Sequence, residues 1–294
     1  MRPHYSWRLR SRTLALGERT LIMGVLNVTP DSFSDGGRFF EPRAAIEHGL
    51  ELLDGGADIL DIGGESTRPG ATAVSGEPAV SAEEELRRVL PVIDELLRQR
   101  PREIVSIDTY KAQVARAAVE AGAEIANDVS GLRWDAAMAS TLAELRCGVV
   151  LMHMRGRPAE WRTLSPLDDP VGLVSRELRE CAETALAAGI ARERIVLDPG
   201  FGFGKSFDEN YPLLAHFDEL HGLGFPLLAG VSRKSFIGRT LAANDRDAPP
   251  QGRLYGSLAA MTAAILKGAQ LVRVHDVKAA VQASKIADAV ARQL

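Results

Sequence analysis

With only two cysteines in 294 residues, Cys147 and Cys181, the sequence has little scope for a disulfide framework. They form no C-x-x-C pair and fall at no metal-ligand spacing, so they read as two reduced thiols in a chain expected in the cytoplasm. No apolar run approaches the roughly 18 residues of a membrane span. Arg2, Arg8, Arg10 and Arg12 open the chain, but no apolar stretch follows them as a secretory signal requires. An organelle peptide would share that arginine content. However, Trp7-Arg8-Leu9-Arg10 and Arg12-Thr13-Leu14 alternate with period two, as a strand does. Charge of one sign is also scarce. The net charge of −4 excludes the strongly basic footprint of a nucleic-acid binder.

No Pro- or Ser-rich linker divides the chain. Eight apolar runs recur instead, at residues 21–28, 59–62, 104–107, 125–129, 149–152, 195–197, 226–231 and 271–274. Runs that are apolar throughout suit strands buried on both faces of a parallel sheet. Helical patterns lie between them. Leu86, Val89, Leu90, Ile93 and Leu97 share one helix face, at the 3.6-residue period. Ser81-x-x-Glu84 and Ser206-x-x-Glu209 read as capping boxes, and Asp169-Pro170 as an N-cap with Pro at the first helical position. Pro91 is expected to kink or break its helix. A final helix is expected to start after Asp276. Eight strand–helix units predict a single α/β domain, a closed (β/α)8 TIM barrel over residues 20–294. A doubly wound sheet would carry a glycine-rich turn after its first strand, and Asn27-Val28-Thr29-Pro30 is not one. Residues 1–19 form an extension. Within it, residues 6–19 read as a short β-hairpin, turning near Ser11 or Gly17-Glu18, that could cap one end of the core.

Polar residues gather at the strand ends: Asn27, Asp61 with Glu65, Asp108, Asn127 with Asp128, His153, Asp198, Ser232-Arg233-Lys234, and Arg273 with His275 and Asp276. Any single one could be a helix cap. A ring around nearly all eight strands is what a barrel active site requires. The basic groups sit at strands seven and eight, where barrels often hold phosphate, and Arg suits bidentate phosphate contact. Carboxylate and carboxamide, as in Asp198 and Asn127, complement the edge of a 2-amino-4-oxo pyrimidine, although composition cannot identify that ring. Residues 198–205 contain three glycines but lack the phosphate-loop frame. They read as a turn needing positive φ and close backbone approach, with Phe203 as a ring-packing wall. The segments 29–42, 64–80 and 155–169 exceed usual loop lengths and follow strands, which marks them as functional.

The longest motifs are Met23-Gly-Val-Leu-Asn-Val-Thr-Pro-Asp-Ser-Phe-Ser-Asp-Gly-Gly37 and Asp61-Ile-Gly-Gly-Glu-Ser-Thr-Arg-Pro-Gly70. Ser106-Ile-Asp-Thr109, Asn127-Asp128, Leu151-Met-His-Met154, the 198–205 run, Gly230-Val-Ser-Arg-Lys-Ser-Phe-Ile-Gly238 and Arg273-Val-His-Asp-Val277 follow in order. Together they resemble the dihydropteroate synthase family, from about residue 20 to the end. The departures are Asp208-Glu209-Asn210, where many members have His-Asn, and Leu167, where a Tyr is common. The resemblance implies condensation of 6-hydroxymethyl-7,8-dihydropterin pyrophosphate with 4-aminobenzoate by SN1-like loss of pyrophosphate. It implies a pterin pocket of Asp108, Asn127, Met152, Asp198, Phe203, Gly230, Lys234 and Arg273. It implies a pyrophosphate site of Asn27, Arg68, Arg273 and His275, and Mg2+ on Asn27 and Asp35. The aminobenzoate site it implies is Phe33, Thr67, Arg68, Pro69 and Ser232. Asp108, Lys234, Arg273 and His275 carry the chemistry, and the chain would be a homodimer with small-molecule substrates and no nucleic-acid or membrane partner.

Three rivals share parts of this pattern. A methyltetrahydrofolate-binding methyltransferase would share the fold and part of the pterin pocket, but the Ser-Arg-Lys-Ser and Arg-Val-His-Asp runs favour a pyrophosphate substrate. A non-catalytic pterin-binding paralogue would be expected to lose loop or anion-site residues, and none is lost here. A sugar-phosphate isomerase or aldolase would place a Lys or Glu within a strand, and no strand has an obvious candidate.

Overall fold

The N-terminal alternation folds as a hairpin. In the structure, a computed structural model that describes residues 2–29, 42–65 and 80–293, β1 (Tyr5–Arg8) pairs antiparallel with β2 (Thr13–Leu16). The turn spans residues 9–12, where Leu9 N donates to Arg12 O at 2.8 Å. Ser11 therefore lies in the turn, and Gly17-Glu18 lies beyond β2.

Eight parallel strands follow: β3 (Leu21–Asn27), β4 (Ile59–Gly63), β5 (Val105–Asp108), β6 (Ile125–Asp128), β7 (Gly148–Met152), β8 (Ile195–Asp198), β9 (Leu228–Ala229) and β10 (Leu271–Val274). Their order is β8-β7-β6-β5-β4-β3-β10-β9. A parallel bridge between Leu197 and Leu227 joins the two ends, so the barrel closes. Helices α1 (Pro42–Asp54), α2 (Ala82–Gln99), α3 (Ala112–Glu120), α4 (Met138–Leu145), α5 (Pro170–Ala187), α6 (Asn210–Ala215), α7 (Ser235–Thr240), α8 (Leu254–Leu266) and α9 (Val277–Ala291) surround them, with short 3-10 turns at Arg192–Arg194, Phe217–Leu223 and Pro250–Arg253. None is long and apolar enough to cross a membrane.

Side-chain alternation sorts each strand into two cores. Leu26, Leu60, Ile62, Ile107, Val149, Leu197 and Val272 point outward and pack with the helices. Met23, Ile59, Ile125, Val150, Val196, Leu228 and Leu271 point inward and fill the barrel's lower end, where Trp7, Leu9 and Leu16 of the hairpin join them. The hairpin is thus the bottom plug, and Trp7 Nε1 donates to Arg194 O at 2.8 Å. Above this plug the inward positions become polar, and there the candidate site begins.

Two local expectations change. α2 runs unbroken through Pro91. Pro91 and Arg87, whose carbonyl loses its partner, both lie on the exposed side of the helix, where water can take that hydrogen bond. The seventh barrel strand is shorter than residues 226–231: its strand is Leu228–Ala229, and Leu227 adds only the single bridge to Leu197. Pro226 has no N–H, and Leu227 N donates to the Gln270 side chain at 2.8 Å. The caps behave unevenly. Ser81 accepts from Glu84 N and Asp169 from Gly172 N. Glu84 turns its carboxylate to Arg88 at 2.9 Å. Ser206 N donates to Glu209 at 2.6 Å, but ahead of α6.

Candidate active site

Register sets the site's depth. Gly63 pairs with Asp108, Asp108 with Asn127 and Asn127 with Val150, so Met152 and its partner Asp198 lie one inward position nearer the mouth. Arg273 reaches across from β10. Its Nε donates to Asp61 Oδ2 at 2.6 Å and its Nη2 to Asp108 Oδ2 at 2.5 Å. Asn127 Nδ2 donates to the same Asp61 oxygen at 2.9 Å. Asp61, fully buried, is therefore the hub of the floor.

Charge in this dry layer is balanced by pairing. Burial pushes the Asp108 carboxyl up to about 7; Arg273 pulls it down and Asp61 pushes it further up. Burial opposes the Arg273 charge, but Asp61 and Asp108 outweigh it and hold its pKa above the ordinary value. Asp198 is raised by burial, against the opposing pull of Gly200 N–H, Lys234 and Arg273. Gly200 N donates to Asp198 Oδ1 at 2.7 Å.

A cavity of about 390 Å3 opens above this layer. Asn27, Asp108, Phe203, Gly230, Ser232, Lys234, Arg273 and His275 all line it. These are eight of the residues singled out in the sequence. Lys234 Nζ sits 3.7 Å from the centre of the Phe203 ring. Ser232 Oγ and His275 Nδ1 are 3.1 Å apart. Asn127, Met152 and Asp198 also point into the barrel but do not wall the cavity. Phe33, Asp35, Thr67, Arg68 and Pro69 lie outside the described residues.

Alternation also removes two residues from the ring. Asp128 points outward and accepts from Ser130 N, Ser130 Oγ and Leu132 N, so it shapes the loop after β6. His153 is buried against α5, with Nε2 3.1 Å from Glu177. The 198–205 glycines behave as expected. Gly200 has φ 64°, and a Cβ there would meet His153 O at 1.9 Å. Lys205 fastens the same turn by donating to Gly200 O at 2.8 Å, and burial pushes its pKa down to about 7.

Some roles and some site groups were not legible in the sequence. Asp61 and Glu65 were placed at a strand end but given no role, because their partners are distant in the chain. Arg253 lines the cavity from the segment before α8 and donates to Arg233 O at 2.8 Å. Arg233 itself is paired with Asp276 at 2.6 and 3.0 Å. Trp161 lines it from the long segment after β7 and meets Phe203 edge-on, with ring centres 5.7 Å apart. The length of that segment was a usable signal; the identity of the residue was not.

Comparison with known proteins places the chain. A family model described as "Pterin binding enzyme" matches residues 23–275. The dihydropteroate synthase of Synechocystis sp. is 45% identical over 276 residues, covering 94% of this chain and 92% of its own. A structure of Xanthomonas albilineans dihydropteroate synthase with 4-aminobenzoic acid is 49% identical, covers 97% of this chain and 98% of its own, and superposes with a TM-score of 0.86. The same organism's enzyme in complex with 7,8-dihydropteroate is 46% identical, with coverage of 96% and 98% and a TM-score of 0.83. The chain belongs to the pterin-binding enzyme family and, within it, to the dihydropteroate synthases.

Proposed function

We propose that this cavity joins 6-hydroxymethyl-7,8-dihydropterin pyrophosphate to 4-aminobenzoate, releasing pyrophosphate and 7,8-dihydropteroate. The observation that carries the reading is the meeting of buried carboxylates and cations at one cavity: Asp61, Asp108 and Asp198 below, with Arg273, Lys234 and His275 beside them. A dianionic or more highly charged leaving group needs the cations, and a pterin edge needs the carboxylates and Asn127. The related enzymes seen with 4-aminobenzoate and 7,8-dihydropteroate support both ligands. Among the described residues no strand contains Lys or Glu, the side chains an aldolase or isomerase would place there. A methyltransferase or purely binding role is not favoured by these relatives.

In this reading Asp198 and Asn127 read the pterin edge, with Lys234 beside it and Met152, Phe203 and Gly230 packing the ring. The pyrophosphate lies against Arg273, His275, Asn27 and Arg68. The arylamine is neutral and nucleophilic at pH 7, so departure of the pyrophosphate is the harder step. Arg273 and His275 stabilise the charge that develops on it. Asp108 faces the cation left on the pterin methylene. Phe33, Thr67, Arg68, Pro69 and Ser232 hold 4-aminobenzoate. Mg2+ usually takes only one or two protein oxygens beside substrate phosphates and water. The half-buried carboxamide of Asn27 on the cavity wall fits that need, and Asp35 would supply the carboxylate. Bound there, Mg2+ would neutralise charge on the leaving pyrophosphate.

Purified protein with Mg2+ should release pyrophosphate and form dihydropteroate only when both substrates are present. Tight pterin binding without turnover would instead mark a non-catalytic binding protein.

A further inference from the structure

A second buried charge cluster touches the cavity beside the Asp61–Arg273–Asp108 network. Glu65, two residues beyond the register partner of Asp108, lines the cavity one layer nearer its mouth. Its side chain is only 5% exposed. One oxygen, Oε2, is held twice: Tyr110 OH donates to it at 3.0 Å, and the Lys111 ammonium is bonded to it. Lys111 is also bonded to Glu85 of α2, and its own side chain is 8% exposed. The other oxygen, Glu65 Oε1, is buried and has no hydrogen-bond partner among the described residues. A buried carboxylate oxygen with no donor is costly, and such costs concentrate at functional sites.

We infer that Glu65 Oε1 is a ligand-facing acceptor. It takes a hydrogen bond from the attacking amine and then the proton that this amine must lose. The inference rests on the reaction proposed above. The amine must approach the pterin methylene from the mouth, past the layer that holds Asp108, and Glu65 lies in the next layer up. Once the C–O bond has broken and its electron pair has left with the pyrophosphate, the amine lone pair forms the C–N bond to the methylene cation. The nitrogen is then an arylammonium and must give up one proton. An arylammonium is a strong acid, so an ion-paired carboxylate is basic enough to receive it. Tyr110 and Lys111 act on the other oxygen and are positioning residues: they fix the rotamer and leave Oε1 open.

The test compares ligands that differ only in the N–H. With Mg2+ and pyrophosphate present, 4-aminobenzoate should bind the wild-type protein about tenfold or more tightly than 4-methylbenzoate, which has the same shape and no donor. Glu65→Leu should bring the two affinities together while leaving binding of the dihydropterin alcohol unchanged. Equal affinities in the wild-type protein would overturn the inference without recourse to any variant. So would a tenfold preference that persists in Glu65→Leu. A protein that binds both benzoates with the expected preference yet releases no pyrophosphate would contradict the reaction and leave the acceptor in place.

Discussion

At His153, burial and pairing act against each other. Burial is the larger effect and pushes the imidazole pKa down to about 4, while Glu177 pulls it up. With Nε2 turned to Glu177, Nδ1 is buried without a partner among the described residues, so a second proton would have no acceptor among them. The sign of the linkage follows. An unfolded histidine binds its proton below about 6.5, but the folded one does so only below about 4. Stability should therefore fall as pH drops from 6.5 to 4, by about 3 kcal/mol at most, and this loss is complete below that window. Glu177 acts in the same direction over a lower window. The His153 hydrogen bond is the main cause holding it down at about 2, so its contribution is present above pH 4.5 and is lost as pH falls towards 2. His153→Gln should abolish the first window. Urea midpoints at pH 7 and pH 4.5 read this directly; a variant that loses as much stability as the parent between them would exonerate His153.

Elements in this fold differ in how openly the sequence declares them. The hairpin and most of the eight strands were legible because one-sided burial writes period two in the hairpin and two-sided burial writes unbroken apolar runs in the barrel strands. Strand seven was over-read, since apolar content does not reveal that Pro226 and Leu227 donate no ladder bonds and only accept them, from Leu197 N and Leu271 N. Pro91 was expected to disturb α2, since its cost depends on which carbonyl faces water. Much of the site was legible as polar residues ending apolar runs. Alternation inside the barrel then decided which of them face the cavity, keeping Asn27, Asp108, Arg273 and His275 and turning Asp128 and His153 away. The hairpin's role as plug separates stability from chemistry. Trp7 is fully buried at the end of the barrel opposite the cavity. Trp7→Ala should cost about 3–5 kcal/mol, read as a lowered urea midpoint, with KM for both substrates unchanged in the folded fraction. A large KM change at constant stability would mean that the plug communicates with the site.

Over the whole molecule, a chain of net charge −4 is proposed to bind two anionic substrates, so its cations must be placed rather than numerous. Arg273, Lys234, Arg253 and His275 all reach one cavity from the last two strands and the segments after β9. Anion binding there should stabilise the entire fold, because a ligand that binds only the native state adds RT ln(1 + [L]/Kd). At a pyrophosphate concentration of 100 Kd with Mg2+, that is about 2.7 kcal/mol, or a rise in Tm of roughly 4–5 °C for a domain of this size. His275→Ala should shrink the pyrophosphate shift while keeping the shift given by the unphosphorylated pterin alcohol. Arg273→Ala needs more care, since it strands Asp61 and Asp108 in a buried layer and should itself cost about 3–5 kcal/mol. The comparison is therefore between ligand-induced shifts within each variant, not between variant melting points. If both ligands lose the same fraction of their shift in both variants, Arg273 and His275 only shape the barrel, and the anion site belongs elsewhere.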